Sequence, residues 1–327
     1  MAGLDELVLD EAAMFLTVIT CTHNPRPAYL AATVKALAKQ THALDQWEYL
    51  LVDNASAPER APVVDLSWHP HARTIREEQL GLTPARLRGI REARGNLLVF
   101  VDDDNVLDED FLAQAVTAAE ERPFLGSWSG QCRPGFDVPP PAWTRRYWGS
   151  LVIRNFTQDV WSNLPRLAET MPCGAGLCVR SEVAQHYLAI HESGRRRFQF
   201  DRTGDSLVSG GDNDLAACAC VLGLGVGLVA ALKLTHLIPS ERLTVEYLAR
   251  LADGIQFSSL LLDAEHGLCL PAPTWLGRCA DQLRLLRYRG PHRVIRRAVQ
   301  SGRARAYHEL GRGGAIQETC QSTRTSC

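Results

Sequence analysis

The stretch Gly95–Asn105, GNLLVFVDDDN, constrains the fold of this chain more than any other part of the sequence. The run Asn96–Val101 is almost purely apolar, and a short run of Val, Leu and Phe bounded by a turn predicts a buried strand. Three carboxylates follow at once, at Asp102, Asp103 and Asp104. Because side chains alternate along a strand, we expect the first and third of them on one side and the second facing away.

Three adjacent carboxylates are costly to bring together unless a cation or several hydrogen-bond donors meet them. Two hard oxygen ligands two residues apart, Asp102 and Asp104, suit Mg²⁺ or Mn²⁺ with substrate phosphates filling the remaining positions. Turn chemistry combined with capping of a helix near Asp108 would also account for this composition, because Asp and Asn favour both. The three aspartates alone leave both interpretations open.

The composition is that of a globular protein. The chain has 327 residues, of which 46% are hydrophobic and 22% are charged, so it can bury a sizeable core. Its length allows one large α/β domain with an appendage, or two domains, at about 100–200 residues per domain. The formal net charge of −2 provides no general attraction to nucleic acid, and no nucleic-acid partner is expected.

Cysteine spacing and the N-terminus indicate a cytoplasmic protein. The ten cysteines show no CxxC pair and no Cys/His spacing typical of zinc, which favours reduced thiols. The N-terminal segment, residues 1–14, is acidic where a signal peptide would be basic, so export is not expected. The uncharged stretch Leu215–Leu232 is interrupted by glycines, and we expect a buried helix, a turn and a buried strand there instead of a membrane span.

Strands and helices alternate in the first 120 residues. Helices are expected at 28–40, near 61–66, at 85–93 with Thr83-Pro84 as its start, and at 108–121, between strands at 15–21, 47–52, 73–76 and 96–101. This alternation predicts a parallel sheet with helices on its faces. The clusters THN, DNAS and DDDN then share the carboxyl edge of the sheet, where α/β proteins bind ligands, and this coincidence favours a ligand site over turn chemistry alone.

Two common nucleotide-binding signatures are missing from this pattern. No GxGxxG follows the first strand and no GxxxxGK[ST] occurs, which argues against a dinucleotide fold and a P-loop NTPase. The sheet would therefore bind a nucleotide through carboxylates at its strand ends and a metal ion.

The second half of the chain contributes further polar side chains. Ser209–Leu215, SGGDNDL, is expected to open a helix with Asp212 and Asp214 in its first turn, where acidic residues also interact favourably with the helix dipole. A strand at 226–238 carries His236 near its end, and glycines in a strand at 171–179 permit close approach to the backbone. The segment 126–161 is rich in aromatic residues, and Pro139-Pro140-Pro141 marks an irregular stretch within it; its rings either stack on sugar faces or bury a loop.

The C-terminal part is predicted to be helical and basic. Residues 278–312 hold ten arginines against two acidic residues. This segment could lie on an anionic membrane surface or pack on the rest of the protein with its arginines solvated, and the sequence leaves both open. Residues 313–327 are expected to be disordered.

The ordered set of motifs resembles family 2 glycosyltransferases of the GT-A fold. VITCTHNP, LLVDNAS, LLVFVDDDN, CGAGLCVR and SGGDNDLA are similar, in this order, to the first-strand, second-strand, DXD, acceptor-side and base-carrying motifs of that family. The resemblance implies a Rossmann-like mixed α/β sheet flanked by helices over residues 15–245, with a helical extension at 246–312. It also implies a bacterial, inverting enzyme, and the absence of QxxRW indicates transfer of single sugars.

The resemblance also assigns roles to single residues. His23 and Asp53 would hold the nucleotide base and ribose, Arg86 the diphosphate, and Cys21 and Asp103 would complete the donor-binding surface. Mn²⁺ or Mg²⁺ would be held by Asp104, Asp102 and His236. Asp212 would be the catalytic base, with Asp214 as second choice, because Gly211 stands where the family has the Glu of its Glu-Asp motif.

The partners follow from the same resemblance. The donor would be a nucleotide-sugar, most often a UDP-sugar in this family, and the acceptor a glycan or glycolipid of a bacterial cell surface. A sugar-phosphate nucleotidyltransferase is an alternative, but it would usually show a glycine-rich loop where this chain has THNPRP. A non-catalytic scaffold at the inner face of the cytoplasmic membrane is a second alternative, against which the intact acidic clusters argue.

Overall fold

The computed structural model describes residues 15–198, 200–201, 207–268 and 274–312. The predictions for the N-terminal segment 1–14 and for disorder at 313–327 lie outside these residues. Within the described residues the strands are β1 (Leu16–Thr22), β2 (Trp47–Asn54), β3 (Ala72–Glu77), β4 (Leu97–Phe100), β5 (Asn105–Leu107), β6 (Leu125–Phe136), β7 (Val160–Ser162), β8 (Leu177–Arg180) and β9 (Gly225–Ile238).

The α-helices described are α1 (Pro27–Leu37), α2 (Leu82–Glu92), α3 (Phe111–Glu121), α4 (Ser181–Glu192), α5 (Gly211–Val221), α6 (Val245–Glu265), α7 (Trp275–Leu285) and α8 (Gly290–Arg312). A ten-residue 3₁₀ segment, Ala142–Leu151, follows β6.

The strands form one mixed sheet in the order β3-β2-β1-β4-β8-β6-β9-β5, with β7 paired to β9. The first four strands are parallel, as the alternating pattern predicts. Strand β8 then pairs antiparallel with β4 and with β6. The predicted mixed α/β sheet with flanking helices is confirmed.

Both faces of the central strands are buried, which explains their continuous apolar sequences. In β4, Leu97 and Val99 enter one apolar cluster, and Leu98 and Phe100 enter a second cluster on the opposite face. Helices α1 and α3 cover the first face, and α2, α4 and α5 cover the second. The carboxyl ends of β1, β2 and β4 are thereby held at one edge of a rigid sheet.

Several local predictions are wrong. Residues 61–66 form no helix, and a 3₁₀ turn at Pro58–Arg60 precedes them. The strand expected at 171–179 forms only from Leu177, because the preceding glycine-containing segment is a loop. In both cases apolar side chains such as Leu66 and Met171 pack against the core without forming a regular element.

Helix α8 packs along α6 through the buried side chains Ile295, Ala306 and Leu310. Ion pairs join Arg305 of α8 to Asp253 of α6 and Arg303 of α8 to Asp281 of α7. Among the residues that the structure describes, no helix combines the length and the apolar character needed to cross a bilayer.

Candidate active site

A cavity of about 360 Å³ opens at the carboxyl edge of β1, β2 and β4. It collects polar side chains from widely separated parts of the chain. Its polar lining includes Cys21, Thr22, His23, Asn54, Arg86, Asp102, Asp103, Asp104, Asp201, Ser209, Asp212, His236 and Arg242.

The three aspartates leave the sheet in a turn between β4 and β5. Asn105 fixes this turn, because its side-chain oxygen accepts from the amide of Asp102 at 3.2 Å and its nitrogen donates to Asp104 at 3.0 Å. Burial and the nearby charge of Asp104 raise the pKa of Asp102. The ionised form of this carboxyl group therefore needs a positive partner.

Asp103 was expected to face away from its neighbours, and this prediction is wrong. The strand ends at Phe100, so the alternation of side chains does not continue through the aspartates, and Asp103 also lines the cavity. The Thr22 hydroxyl donates to its carboxylate. Burial, followed by the charge of Asp104, raises the pKa of Asp103 to about 7.

Asp104 and His236 come together through the pairing of β5 with β9, which places Asn105 opposite His236. Asp104 Oδ2 lies 3.4 Å from His236 Nε2. The Arg242 guanidinium contacts both groups, at 3.0 Å from Asp104 Oδ2 and 2.9 Å from His236 Nε2. His236 Nδ1 donates to the Leu151 carbonyl at 3.0 Å, which leaves Nε2 as the lone-pair acceptor facing Asp104.

The donor set fits a divalent cation that keeps other ligands. The described lining holds five aspartates against two arginines, an excess of negative charge that favours a cation. Asp102 and Asp104 offer the carboxylate oxygens that suit Mn²⁺ and Mg²⁺, and His236 Nε2 offers a nitrogen beside them. Among the described residues, no group of three or more His, Cys, Asp or Glu side chains is gathered closely enough to hold a metal ion.

Asp212 faces this cavity from the first turn of α5. Its Oδ2 accepts from the Gly174 amide at 2.6 Å, and Oδ1 accepts from the Asn213 amide at 3.0 Å. Gly174 belongs to the loop before β8, and any side chain at that position would press against Asp212 and Arg86. The absence of a side chain at position 174 allows the Asp212 carboxylate and the Arg86 guanidinium to approach each other.

Asp214 lies outside this cavity, on the opposite side of the same helical turn. It is 1% exposed. Arg196 Nη2 lies 2.7 Å from its Oδ1, and His266 and His191 lie at 3.5 and 3.9 Å. The structure therefore brings Asp212, and not Asp214, to Asp102 and Arg86.

Arg86 is a buried cation in the cavity wall. Its Nη1 donates to Asp201 Oδ2 at 2.9 Å. Burial lowers the pKa of Arg86, but the charges of Asp201, Asp212 and Asp102 outweigh that effect and hold the pKa above its usual value. Thr83, expected to cap α2, makes no such capping bond, and its hydroxyl donates to Asp201 at 2.9 Å.

The first and second strands present His23 and Asn54 together. His23 Nδ1 donates to the Asn54 carbonyl at 2.7 Å, and Nε2 accepts from Asn24 at 2.8 Å. Burial raises the pKa of the Cys21 thiol to about 12, which keeps it neutral. Asp53 is not among the residues lining this cavity, because its carboxylate turns to Arg76 Nη1 at 2.7 Å.

Sequence reasoning missed two charged residues of the cavity, Asp201 and Arg242. Asp201 follows a run of three arginines, and Arg242 follows the end of β9 by four residues. Neither belongs to a periodic pattern or to a spaced motif. Only long-range packing places them beside Arg86 and Asp104.

The model of a protein family described as "Glycosyl transferase family 2" matches residues 17–175. The chain is 28% identical over 109 residues to a putative glycosyltransferase, EpsH, of Bacillus subtilis (strain 168), covering 32% of this chain and 31% of that protein. It is 30% identical over 112 residues to the uncharacterized protein y4gI of Sinorhizobium fredii (strain NBRC 101917 / NGR234), covering 33% of this chain and 12% of that one. The chain thus spans less than a third of the length of each of these two relatives.

Among solved structures, the fold is similar to the mannosyltransferase PcManGT from Pyrobaculum calidifontis, solved in complex with GDP-Man and Mn²⁺. The TM-score is 0.56 at 17% identity, covering 91% of this chain and 88% of that one. The family match lies on the part of the chain that builds β1 to β7 and the acidic turn. Residues 17–175 are therefore similar to family 2 glycosyltransferases, and the chain as a whole shares its fold with the solved mannosyltransferase.

Proposed function

We propose that this protein transfers a single sugar from a nucleotide-diphosphate sugar to an acceptor hydroxyl, with inversion at the anomeric carbon. The observation that carries the proposal is the arrangement of Asp212 in one cavity with the acidic turn Asp102–Asp104 and the buried Arg86. In this proposal the acidic turn would hold a cation bound to phosphate, the Arg86 guanidinium would add a second positive charge, and the Asp212 carboxylate would accept a proton.

The donor would lie along the carboxyl edge of the sheet, with its base near His23 and its diphosphate between Arg86 and the acidic turn. Asp102, Asp104 and His236 would hold Mn²⁺ or Mg²⁺. When bound, such an ion would stabilise negative charge on the departing diphosphate as a Lewis acid. Support for the ion comes from the excess of carboxylates in the cavity and the raised pKa of Asp102.

Arg86 would stabilise the same departing charge from the protein side. A buried, permanently charged guanidinium that is already oriented stabilises developing charge without reorganising at the moment of reaction. Arg242 would have to release Asp104 and His236 as a metal ion entered, since its Nη1 contacts both of them. Once released, it would be close enough to meet a phosphate.

Asp212 would act as the general base. As the acceptor oxygen bonds to the anomeric carbon, the bond from that carbon to the diphosphate oxygen breaks, and the acceptor proton passes to the Asp212 carboxylate. One displacement of this kind inverts the configuration. The amides of Gly174 and Asn213 hold the carboxylate in place for that transfer.

We further propose that the protein works at the inner face of the cytoplasmic membrane, on a cell-surface glycan or glycolipid acceptor. Support comes from helix α7 and the residue that follows it, where most of the large apolar side chains are exposed. Trp275, Leu276, Leu283 and Leu286 are 61–67% exposed. Positions 275, 279, 283 and 286 lie on one side of a helix, and exposed arginines of α7 and α8 flank them, a pattern typical of helices that lie on anionic membranes.

The first test is calorimetric titration of UDP, GDP, dTDP and CMP, each with and without Mn²⁺. We expect one diphosphate to bind tightly only with the metal, and we expect UDP to be that nucleotide. GDP is included because PcManGT was solved with GDP-Man. In Asp104→Asn we expect the metal-dependent increase in affinity to be lost while the protein stays folded.

The alternatives predict other outcomes. A scaffold would bind no nucleotide and would show no slow donor hydrolysis, whereas a glycosyltransferase hydrolyses its donor when the acceptor is missing. A nucleotidyltransferase would release pyrophosphate from a nucleoside triphosphate. Full metal dependence in Asp104→Asn would contradict the proposed metal site.

A further inference from the structure

Asp201 is a buried carboxylate to which the proposed reaction assigns no role. Its side chain is 6% exposed, and so is that of its partner Arg86. Oδ2 accepts from Arg86 Nη1 at 2.9 Å and from the Thr83 hydroxyl at 2.9 Å. Both donors lie in the first turns of α2, so Asp201 holds that end of the helix to the cavity wall.

The Asp201 carboxylate fills the space that a side chain at position 211 would otherwise occupy. A Cβ placed on Gly211 would lie 2.1 Å from Asp201 Oδ2, 2.3 Å from Cγ and 2.5 Å from Oδ1. Gly211 has no left-handed backbone that would require glycine, so the neighbouring carboxylate is what excludes a side chain. The Gly211 amide donates to the Phe200 carbonyl at 3.1 Å and holds the two segments together.

Arg86 also lies close to the proposed base. Arg86 Nη2 and Asp212 Oδ2 are each 3.2 Å from the point where a Cβ on Gly174 would lie. A buried guanidinium that loses its carboxylate partner is strongly driven to find another. Without Asp201, the charges that act most strongly on Arg86 are those of Asp212 and Asp102, and a direct ion pair with Asp212 would occupy the oxygens that must accept the proton.

We propose that Asp201 is a positioning residue that holds Arg86 toward the donor diphosphate and away from Asp212. In this arrangement Asp201 supplies, through space, a carboxylate beside Gly211, which carries no side chain of its own. This inference rests on the proposed function, because it assigns Arg86 to the diphosphate and Asp212 to the acceptor proton. The Asp201 carboxylate leaves no space for a side chain at Gly211, the residue directly before the proposed base Asp212.

The test moves the carboxylate from one segment to the other. An aspartate at position 211 would carry its carboxylate one bond beyond the Cβ, in the space that Asp201 vacates. We therefore compare Asp201→Gly with two double variants, Asp201→Gly/Gly211→Asp and Asp201→Gly/Gly211→Asn. The two double variants are matched in size and differ only in the negative charge.

We expect Asp201→Gly to lower kcat about 10²-fold, the size of effect that misplacing a catalytic group by about 1 Å can produce. We expect kcat of Asp201→Gly/Gly211→Asp to be at least tenfold higher than that of Asp201→Gly. We expect kcat of Asp201→Gly/Gly211→Asn to be no higher than that of Asp201→Gly. Affinity for the nucleoside diphosphate identified by titration should fall in Asp201→Gly, return in the aspartate double variant and stay low in the asparagine double variant. A purely structural role would not distinguish Asp from Asn at position 211.

Two controls keep the outcomes distinct. Asp201→Asn preserves the shape of the side chain, so it should fold even if Asp201→Gly does not, and full kcat in this variant would overturn the proposal. Equal recovery by the aspartate and asparagine double variants, or recovery by neither in folded protein, would also overturn it. Failure of the wild-type protein to bind any nucleotide or to turn over a donor would instead refute the proposed function on which the inference rests.

Discussion

At the scale of single residues, Asp212 and Asp214 show how two positions in one helical turn acquire different chemistry. Asp212 is half-buried at the cavity, where two backbone amides hold its carboxylate. Asp214 is fully buried on the other side of the helix beside Arg196. A general base must be within reach of the acceptor proton, and only Asp212 lines the cavity.

Asp212→Asn should leave nucleotide affinity within about twofold of wild type and lower kcat about 10²–10⁴-fold, because the amide cannot accept the proton. Steady-state kinetics with the identified donor, together with titration of its diphosphate, would measure both quantities.

Asp214→Asn is the matched comparison. It should lower the melting temperature, because breaking a buried ion pair leaves Arg196 without its carboxylate partner and typically costs about 3–5 kcal/mol. At temperatures where it is folded, its kcat should remain near that of wild type. The reverse pattern, an inactive Asp214→Asn and an active Asp212→Asn, would show that the base is assigned to the wrong carboxylate.

At the scale of elements, the pairing of β9 with β6 and β5 builds the metal side of the cavity. Strand β9 is parallel to β6 and antiparallel to β5, and the latter register brings His236 beside the acidic turn. Gly130 lies at an irregularity in the β6–β9 register. A Cβ at that position would lie 2.2 Å from the Leu232 carbonyl oxygen, so the two strands approach too closely for any side chain.

Gly130→Ala should destabilise the protein by at least the roughly 1–3 kcal/mol typical of overpacking, because the obstructing atom belongs to the backbone of β9 and cannot rotate away. Because β9 carries His236, the metal-dependent part of nucleotide affinity should fall as well. Urea denaturation and titration with Mn²⁺ would measure the two effects.

Gly149→Ala provides the control, since no atom lies within 4 Å of the added Cβ apart from its chain neighbours and the adjoining backbone of its own helical segment. Its stability should stay within about 0.5 kcal/mol of wild type. An unchanged denaturation midpoint in Gly130→Ala would contradict the close approach of β6 and β9.

At the scale of the whole molecule, the two helices of the arginine-rich segment differ, since α8 packs on its neighbours and α7 presents apolar side chains to solvent. Helix α8 buries Ile295, Ala306 and Leu310, so part of the arginine-rich segment packs on the protein, which was one of the two interpretations left open by the sequence. Helix α7 buries Leu285 and exposes most of its other large apolar side chains. Packing on the protein therefore holds for α8, and contact with a membrane stays a proposal for α7.

The double variant Leu283→Glu/Leu286→Glu should weaken binding to phosphatidylglycerol-containing vesicles at least tenfold. Burying an exposed leucine contributes about 1.5–3 kcal/mol, and the added carboxylates are repelled by anionic lipid. Co-sedimentation would measure the change, with pure phosphatidylcholine vesicles to separate the contribution of charge.

Leu164→Glu is the matched control, because Leu164 is 59% exposed but belongs to the loop after β7. It should bind vesicles like the wild-type protein. Equal binding by all variants would contradict the membrane role of α7, and a change of oligomeric state in the double variant alone would indicate that a second copy of the chain covers this face.

The order of elements and the polar edge of the sheet could be predicted from the sequence. Continuous apolar runs such as 97–100 predict strands buried on both faces, and alternation with helices predicts parallel pairing of β1 to β4. The polar clusters after β1, β2 and β4 then share one edge of the sheet for geometric reasons alone. That much depends on local periodicity and on chain direction, which the sequence contains directly.

The sequence by itself determined the sheet, its ligand-binding edge and the acidic turn of this protein. Only the tertiary structure decided which side chains meet there, because contacts such as Arg86 with Asp201, or Arg242 with Asp104, join residues far apart along the chain. It also turned Asp53 to Arg76 and separated Asp212 from Asp214. Such contacts follow from packing against many distant residues, and no periodicity or spacing along the chain encodes them.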